Sequence, residues 1–271
     1  MRKLLLIGAG TIILIGSGLW VLQATPAPQG KGPPPSDPAI PAPSVNPNLV
    51  TVNTPATLTA TVSITDPTLN PSSVELLRVN VDGSTSVVAS MRDDGRGGDQ
   101  KPGDKNFTAT LTIDEHVAGQ IQLEVLAAFK GFLEPRLSST IAVDVWNSTT
   151  TLFGTVPYPA TWILEPLSNT PSDGIYLTDG LEDESGHGIS VALINKPLSS
   201  ILVDPTHVLI TQASQTINGR QWIFVSAEEP VSGLRFYHAF TQIAAGVVVI
   251  GGNDSPTNKS IVDTIVSLMF R

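Results

Sequence analysis

Between residues 48 and 147 apolar side chains recur at every second position, and that period dictates strands. Leu58, Ala60, Val62 and Ile64 alternate with Thr59, Thr61 and Ser63, and Phe107, Ala109, Leu111 and Ile113 alternate with Thr108, Thr110 and Thr112. Leu77, Val79 and Val81, then Ile121, Leu123 and Val125, then Ile141, Val143 and Val145 repeat the pattern. A side chain changes face at each step along a strand, so such a segment buries one face and wets the other. With Asn48–Asn53 and Thr85–Arg92, about seven strands fall in this stretch, separated by Asp66-Pro67, Asn70-Pro71, Asp82-Gly83 and Glu134-Pro135. That count and spacing predict an immunoglobulin-like β-sandwich over 48–147.

The pattern changes from 150 to 271, where an α+β domain is expected: an antiparallel sheet with helices. Strands are expected over Thr161–Glu165, Gly174–Thr178, Ile189–Asn195, Arg220–Ala227, Leu234–Ile243 and Gly246–Gly251. Asn218-Gly219 is the strongest hairpin signal in the chain and would join Ala213–Ile217 to Gln221–Ala227. Helices are expected over Leu198–Gln212, with Pro205 as a break or start, and over Asn258–Met269, capped by Asn258 or Thr257 after Pro256.

The chain begins differently. Arg2 and Lys3 precede an uncharged run from Leu4 to Leu22, long enough as a helix to approach a hydrocarbon core of roughly 30 Å. Residues 1–23 are therefore expected to be an N-terminal transmembrane helix or a cleaved signal peptide. The protein would then be a single-pass membrane protein with its C-terminal part periplasmic or extracellular, and secreted if cleaved. Residues 24–47 hold nine of the 22 prolines and read as an extended linker.

Composition removes whole classes. The net charge of −9, with 15 basic against 24 acidic residues, argues against nucleic acid. The absence of cysteine excludes disulfides, zinc–thiolate sites and a cysteine nucleophile. No zincin, P-loop, nucleophile-elbow or dinucleotide fingerprint is present. Asp179-Gly180-Leu181-Glu182-Asp183-Glu184-Ser185-Gly186-His187 sets carboxylates near an imidazole, a pattern suited to acid–base work or to a solvated loop. His238 shares a strand face with Phe236 and Phe240 and reads as a satisfied strand histidine.

The stretch Asp93–Thr108 is the most distinctive. Four aspartates and four glycines fall in its first twelve residues. Either the aspartates cap their own turns or oxygen ligands gather around Ca²⁺, with Asp94, Asp99 and Asp104 as the candidates. Asp94, Gly95, Gly98, Asp99, Gly103, Asp104, Phe107 and Thr108 resemble the D-G-x-x-G-D-x-x-x-G-D-x-x-F-T pattern of Ig-like modules in bacterial exported proteins. The resemblance implies export, a sandwich, and a spacer or interaction role. Val156–Trp162, with Tyr158-Pro159 before Trp162, and the ending Ile261–Phe270 resemble PsbP-like domains, which implies an α/β/α layer fold and varied, mostly non-catalytic roles. The function expected is a membrane-anchored, non-catalytic binding or scaffold module of the cell envelope with an envelope or extracellular protein partner. The alternatives are an exported hydrolase or transferase using 179–187, and Ca²⁺-dependent adhesion through 93–104.

Overall fold

The structure, a computed structural model, describes residues 37–167, 174–181, 187–202 and 207–270. Strands dominate it. The first sheet is three-stranded and antiparallel, in the order β1 (Ser44–Asn46), β3 (Ala56–Ser63), β6 (Asn106–Ile113). The second sheet runs through β4 (Glu75–Val79), β5 (Thr85–Ser90), β7 (Gly119–Ala127) and β9 (Ile141–Thr151), with β5 at one edge. The short β2 (Leu49–Thr51) joins β9 in parallel, and β8 (Arg136–Leu137) joins β7. The alternation does what it implies: Leu58, Ala60, Val62, Phe107 and Ala109 of the first sheet are buried against Leu76, Leu123, Val125, Val143 and Val145 of the second, while Thr59 and Thr110 stay outside this core. Two packed sheets of this kind form a β-sandwich. Ser44–Asn46, within the stretch read as linker, is a strand, and nearby Ile40 is buried in the sandwich core.

β9 is longer than the sandwich needs. Its first half pairs with β7, and its second half, Asn147–Thr151, pairs with β10 (Gly154–Tyr158). Val156 of β10 is buried in a second core, not in the sandwich. Beyond it lies a seven-stranded antiparallel sheet in the order β11 (Ile163–Pro166), β12 (Gly174–Thr178), β13 (Gly188–Ile194), β17 (Gly246–Asn253), β16 (Arg235–Ile243), β15 (Arg220–Glu228), β14 (Val208–Ile217). The second core lies between one face of this sheet and α2 (Pro256–Leu268): Leu177, Ile189, Trp222, Ala239 and Ile250 meet Val262, Ile265 and Val266. The opposite face carries a smaller cluster, Val225, Phe240, Val247 and Val249, roofed by Leu198 and Ile201 of α1 (Leu198–Ile201). Both faces of β17 are thus covered, which explains its unbroken apolar run Val247–Ile250. Pro38–Arg271 forms one unit.

Three expectations are corrected. The expected fold class, with an N-terminal transmembrane helix and a C-terminal α+β domain, gives way to a mostly β chain, 53% strand and 9% helical. No helix among the described residues is long and apolar enough to cross a membrane. The longest, α2, has 13 residues, about 20 Å of helix against a core of about 30 Å, and carries Lys259 and Asp263. The expected single-pass location is corrected on the same finding; residues 1–23, on which it rested, lie outside the described residues. Lastly, the helix expected over Leu198–Gln212 is only one turn: Val208, Leu209 and Ile210 enter β14 instead, drawn into the hairpin that Asn218-Gly219 closes with φ of 49° and 73°. In α2 the cap is Ser255, whose Oγ accepts from the Asn258 N–H at 3.1 Å, with Pro256 as the first helical residue.

Candidate functional site

Two places gather chemistry-bearing side chains. The first is the aspartate loop between β5 and β6. Arg92 and Thr108 bridge its neck, and the chain between them curls back on itself. Asp93, Asp99 and Asp104 converge there, each with a carboxylate oxygen within 4.8 Å of the others. Asp99 is buried and accepts from the Gly95 N–H at 2.6 Å and the Lys101 N–H at 3.1 Å. Asp93 accepts from the Asp104 N–H at 3.0 Å and the Lys105 N–H at 3.2 Å. Asp104 accepts from the Asn106 N–H at 3.0 Å, and this bond, aided by Lys101, holds its carboxyl below the usual aspartate value. Asp94, expected among the ligands, turns outward instead: it accepts from the Arg96 N–H at 3.0 Å and stands 3.6 Å from the Arg92 guanidinium. Asp93 takes its place. The sequence signal was there, since Asp93 and Asp94 are adjacent and neighbours in an extended chain point opposite ways. Both expected readings of the loop meet in one geometry, because the carboxylates that cap the turns are also those that could hold a cation.

The second place is a cavity of about 240 Å³ on the sheet face opposite α2. Its floor is the sheet itself, with Val225, Ala227 and Val249 beside Phe236, His238 and Phe240 of β16; Ile201 and Leu202 form a wall, and Leu209 of β14 and His207 stand at the side. Period two along β16 puts Phe236, His238 and Phe240 on this face, as the sequence indicated, and sends Tyr237 and Ala239 to the α2 side. The His238 ring lies 6.1 Å from Phe236 and 5.8 Å from Phe240, centroid to centroid, and His207 meets the edge of Phe236 at 5.7 Å. Across the sheet His238 faces Gly251. A Cβ at Gly251 would fall 2.6 Å from the imidazole Cγ and 2.7 Å from the Tyr237 carbonyl oxygen, so glycine is what lets the ring lie flat against β17.

His238 differs from expectation in one respect. It sits on the expected face, yet its imidazole makes no hydrogen bond among the described residues. Burial, with a smaller contribution from His207, lowers its pKa to about 4, so the ring is neutral at pH 7. A neutral imidazole carries one donor and one acceptor, here within an apolar wall.

The remaining candidates separate from these two. His187 Nδ1 lies 2.9 Å from Asp179 Oδ2, and the His187 N–H donates to the same oxygen at 3.1 Å. That bond to the imidazole is the main cause of the depressed Asp179 pKa. The pair closes the β12–β13 connection, where the Asp179 N–H donates to the His187 carbonyl at 3.1 Å, and Glu182, Asp183 and Glu184 lie outside the described residues. Neither His187 nor Asp179 lines the 240 Å³ cavity. His116 is a turn residue 2.8 Å from Asn53 Oδ1. Trp222 is fully buried in the α2-side core. The feature sequence reasoning missed is the cavity: His207 and Leu209 come from a segment read as helix, so nothing placed them beside β16. No protein-family model matches the chain, and no curated protein is similar to it.

Proposed function

We propose that the chain is a non-catalytic binding protein: its C-terminal sheet takes up a small, largely apolar molecule bearing one hydroxyl, and the sandwich serves as scaffold. The observation that carries this is His238, a neutral imidazole without a hydrogen-bond partner among the described residues, set between two phenylalanine rings in a cavity whose other described lining residues, His207 apart, are hydrocarbon. The imidazole ring is half-buried and lines the cavity, so a ligand's hydroxyl donating to its free nitrogen would gain about 0.5–1.5 kcal/mol, the net worth of an ordinary hydrogen bond. Size limits the ligand. An apolar cavity of about 150 Å³ takes up benzene, so 240 Å³ suits one ring with a short substituent, or a short-chain alcohol. A charged ligand is disfavoured, because no lining residue among those described is an acid, a lysine or an arginine.

Benzene and phenol distinguish the parts of this reading. Both should raise the melting temperature, with phenol binding about two- to tenfold more tightly through its hydrogen bond. His238→Phe should retain benzene and abolish the phenol advantage. If neither compound shifts the melting temperature or perturbs the resonances of Phe236 and Phe240, the reading fails.

A second reading concerns the aspartate loop, where the convergence of Asp93, Asp99 and Asp104 favours Ca²⁺ as a structural cation. Millimolar Ca²⁺ should then raise the melting temperature, and Asp93→Asn, which keeps a carbonyl acceptor but drops a charge, should reduce the rise. An unchanged melting temperature would leave the loop as a set of capped turns.

A further inference from the structure

We propose that two copies of this chain join edge to edge through β14, antiparallel and centred on Ser214, to make one continuous sheet. β14 is an outer strand, and all of it except Ile217 is exposed, including Val208, Leu209 and Ile210. Its ten residues include no charge, no proline and no glycine. Edge strands that remain single are commonly guarded by such residues or by a covering element. The opposite edge of the same sheet has them: β11 is four residues long and contains Glu165 and Pro166. Nor does any described helix roof β14, since α2 packs on β10, β13, β16 and β17. Its one guard is a register shift between Leu209 and Thr211, which leaves Thr211–Ile217 regular.

The hairpin fixes which groups point outward. Ile217 and Arg220 flank the two-residue turn and pair, so Ile217, Gln215, Ala213 and Thr211 direct their backbone groups to β15. Gln212, Ser214 and Thr216 then direct theirs away from the sheet. The midpoint of the regular run is Ser214, an outward residue. A two-fold axis there pairs Ser214 with the Ser214 of a second copy and Gln212 with Thr216, closing about six backbone hydrogen bonds. The same patch meets itself, as a two-fold interface requires.

Charge selects both the occupant and its direction. At a net charge of −9 two copies repel over most of their surface, and an uncharged strand is where they can approach. The turn end of the β14–β15 hairpin carries Arg220. The other end carries Glu228 and Glu229, with only Arg235 bonded to Glu228 at 2.9 Å. Antiparallel joining sets the cationic end of each copy beside the acidic end of the other, whereas parallel joining would set like beside like.

Sedimentation of the full chain and three variants tests this. The wild type should be dimeric at micromolar concentration. Ser214→Lys and Ser214→Glu each place like charges opposite one another on the axis and should weaken association by about tenfold or more. An equal mixture of the two should restore the dimer. Ser214→Pro removes an outward N–H without touching the β14–β15 ladder, so it should yield a folded monomer. A monomeric wild type overturns the proposal, whether or not its edge takes up some other extended peptide. So does a Ser214→Lys variant that dimerises like the wild type, or a mixture that fails to recover.

Discussion

At the scale of the residue, His238 and Gly251 form one device. The imidazole occupies space that any side chain on Gly251 would fill. Gly251→Ala should therefore tilt the ring out of the Phe236–Phe240 row and lower stability by about 1–3 kcal/mol, the usual penalty of overpacking; a denaturant midpoint lower at unchanged slope would show it. The depressed pKa has a pH signature. Unfolded histidine titrates near 6.5, folded His238 near 4. As pH falls from about 6.5 to about 4 the unfolded chain binds a proton that the folded chain refuses, so stability falls, by roughly 3 kcal/mol in all, and this contribution levels off below 4. His238→Phe should flatten that window. A separate loss should follow at lower pH, as Asp66, Asp82, Asp104 and Asp179, all held below the ordinary aspartate value, take up protons. The face of His238 was legible because strand period fixes it. Its lack of a partner was not, because that depends on a glycine one strand away and on a wall built from Ile201, Leu202, His207 and Leu209.

At the scale of the element, the loop and the helix each rest on a cap. Asp99→Ala would leave the Gly95 and Lys101 N–H groups without their acceptor and should cost about 1–3 kcal/mol with or without added calcium. Ser255→Ala removes the N-terminal cap of α2 and should cost about 1 kcal/mol; thermal melts of the two variants check both. The strands of the sandwich were readable because Thr and Val alternate cleanly over whole elements. Residues 198–212 misled because their apolar spacing fits a helix face as well as a strand. Only Pro205 and the Asn218-Gly219 turn argue for the strand, and the turn wins because β14 can form nine cross-strand pairs with β15. The cap of α2 was expected at Asn258 or Thr257, but Pro256 suits the first helical position, which leaves Ser255 just before it as the cap.

At the scale of the whole molecule, β9 couples two cores. Its first half closes the sandwich, Trp146 near its middle packs against the α2-side core, and its second half carries β10 into that core. Domains joined by a flexible linker can unfold separately, whereas a shared strand transmits the loss of one core to the other. Three of the four tryptophans, Trp146, Trp162 and Trp222, belong to the α2-side core, so in a Trp20→Phe variant fluorescence follows that core, while far-ultraviolet circular dichroism follows every strand. The two unfolding curves should coincide; separate midpoints would mean that β9 does not couple the halves. The sequence pattern changes near residue 148, while Pro38–Arg271 forms one unit. That one strand crosses this point was not legible, because Asn147-Ser148-Thr149-Thr150-Thr151 looks like the polar end of a domain, and its pairing with β10 is a tertiary fact.

The binding role proposed for this chain turns on the neutral imidazole of His238 in the cavity under β16. The most direct test is the ring resonance of His238, followed by NMR from neutral to acidic pH with and without phenol. Titration near 4 is expected, with a clear shift of the ring signal on adding phenol at neutral pH. Titration at the ordinary value of about 6.5, together with a ring signal indifferent to phenol, would contradict that role.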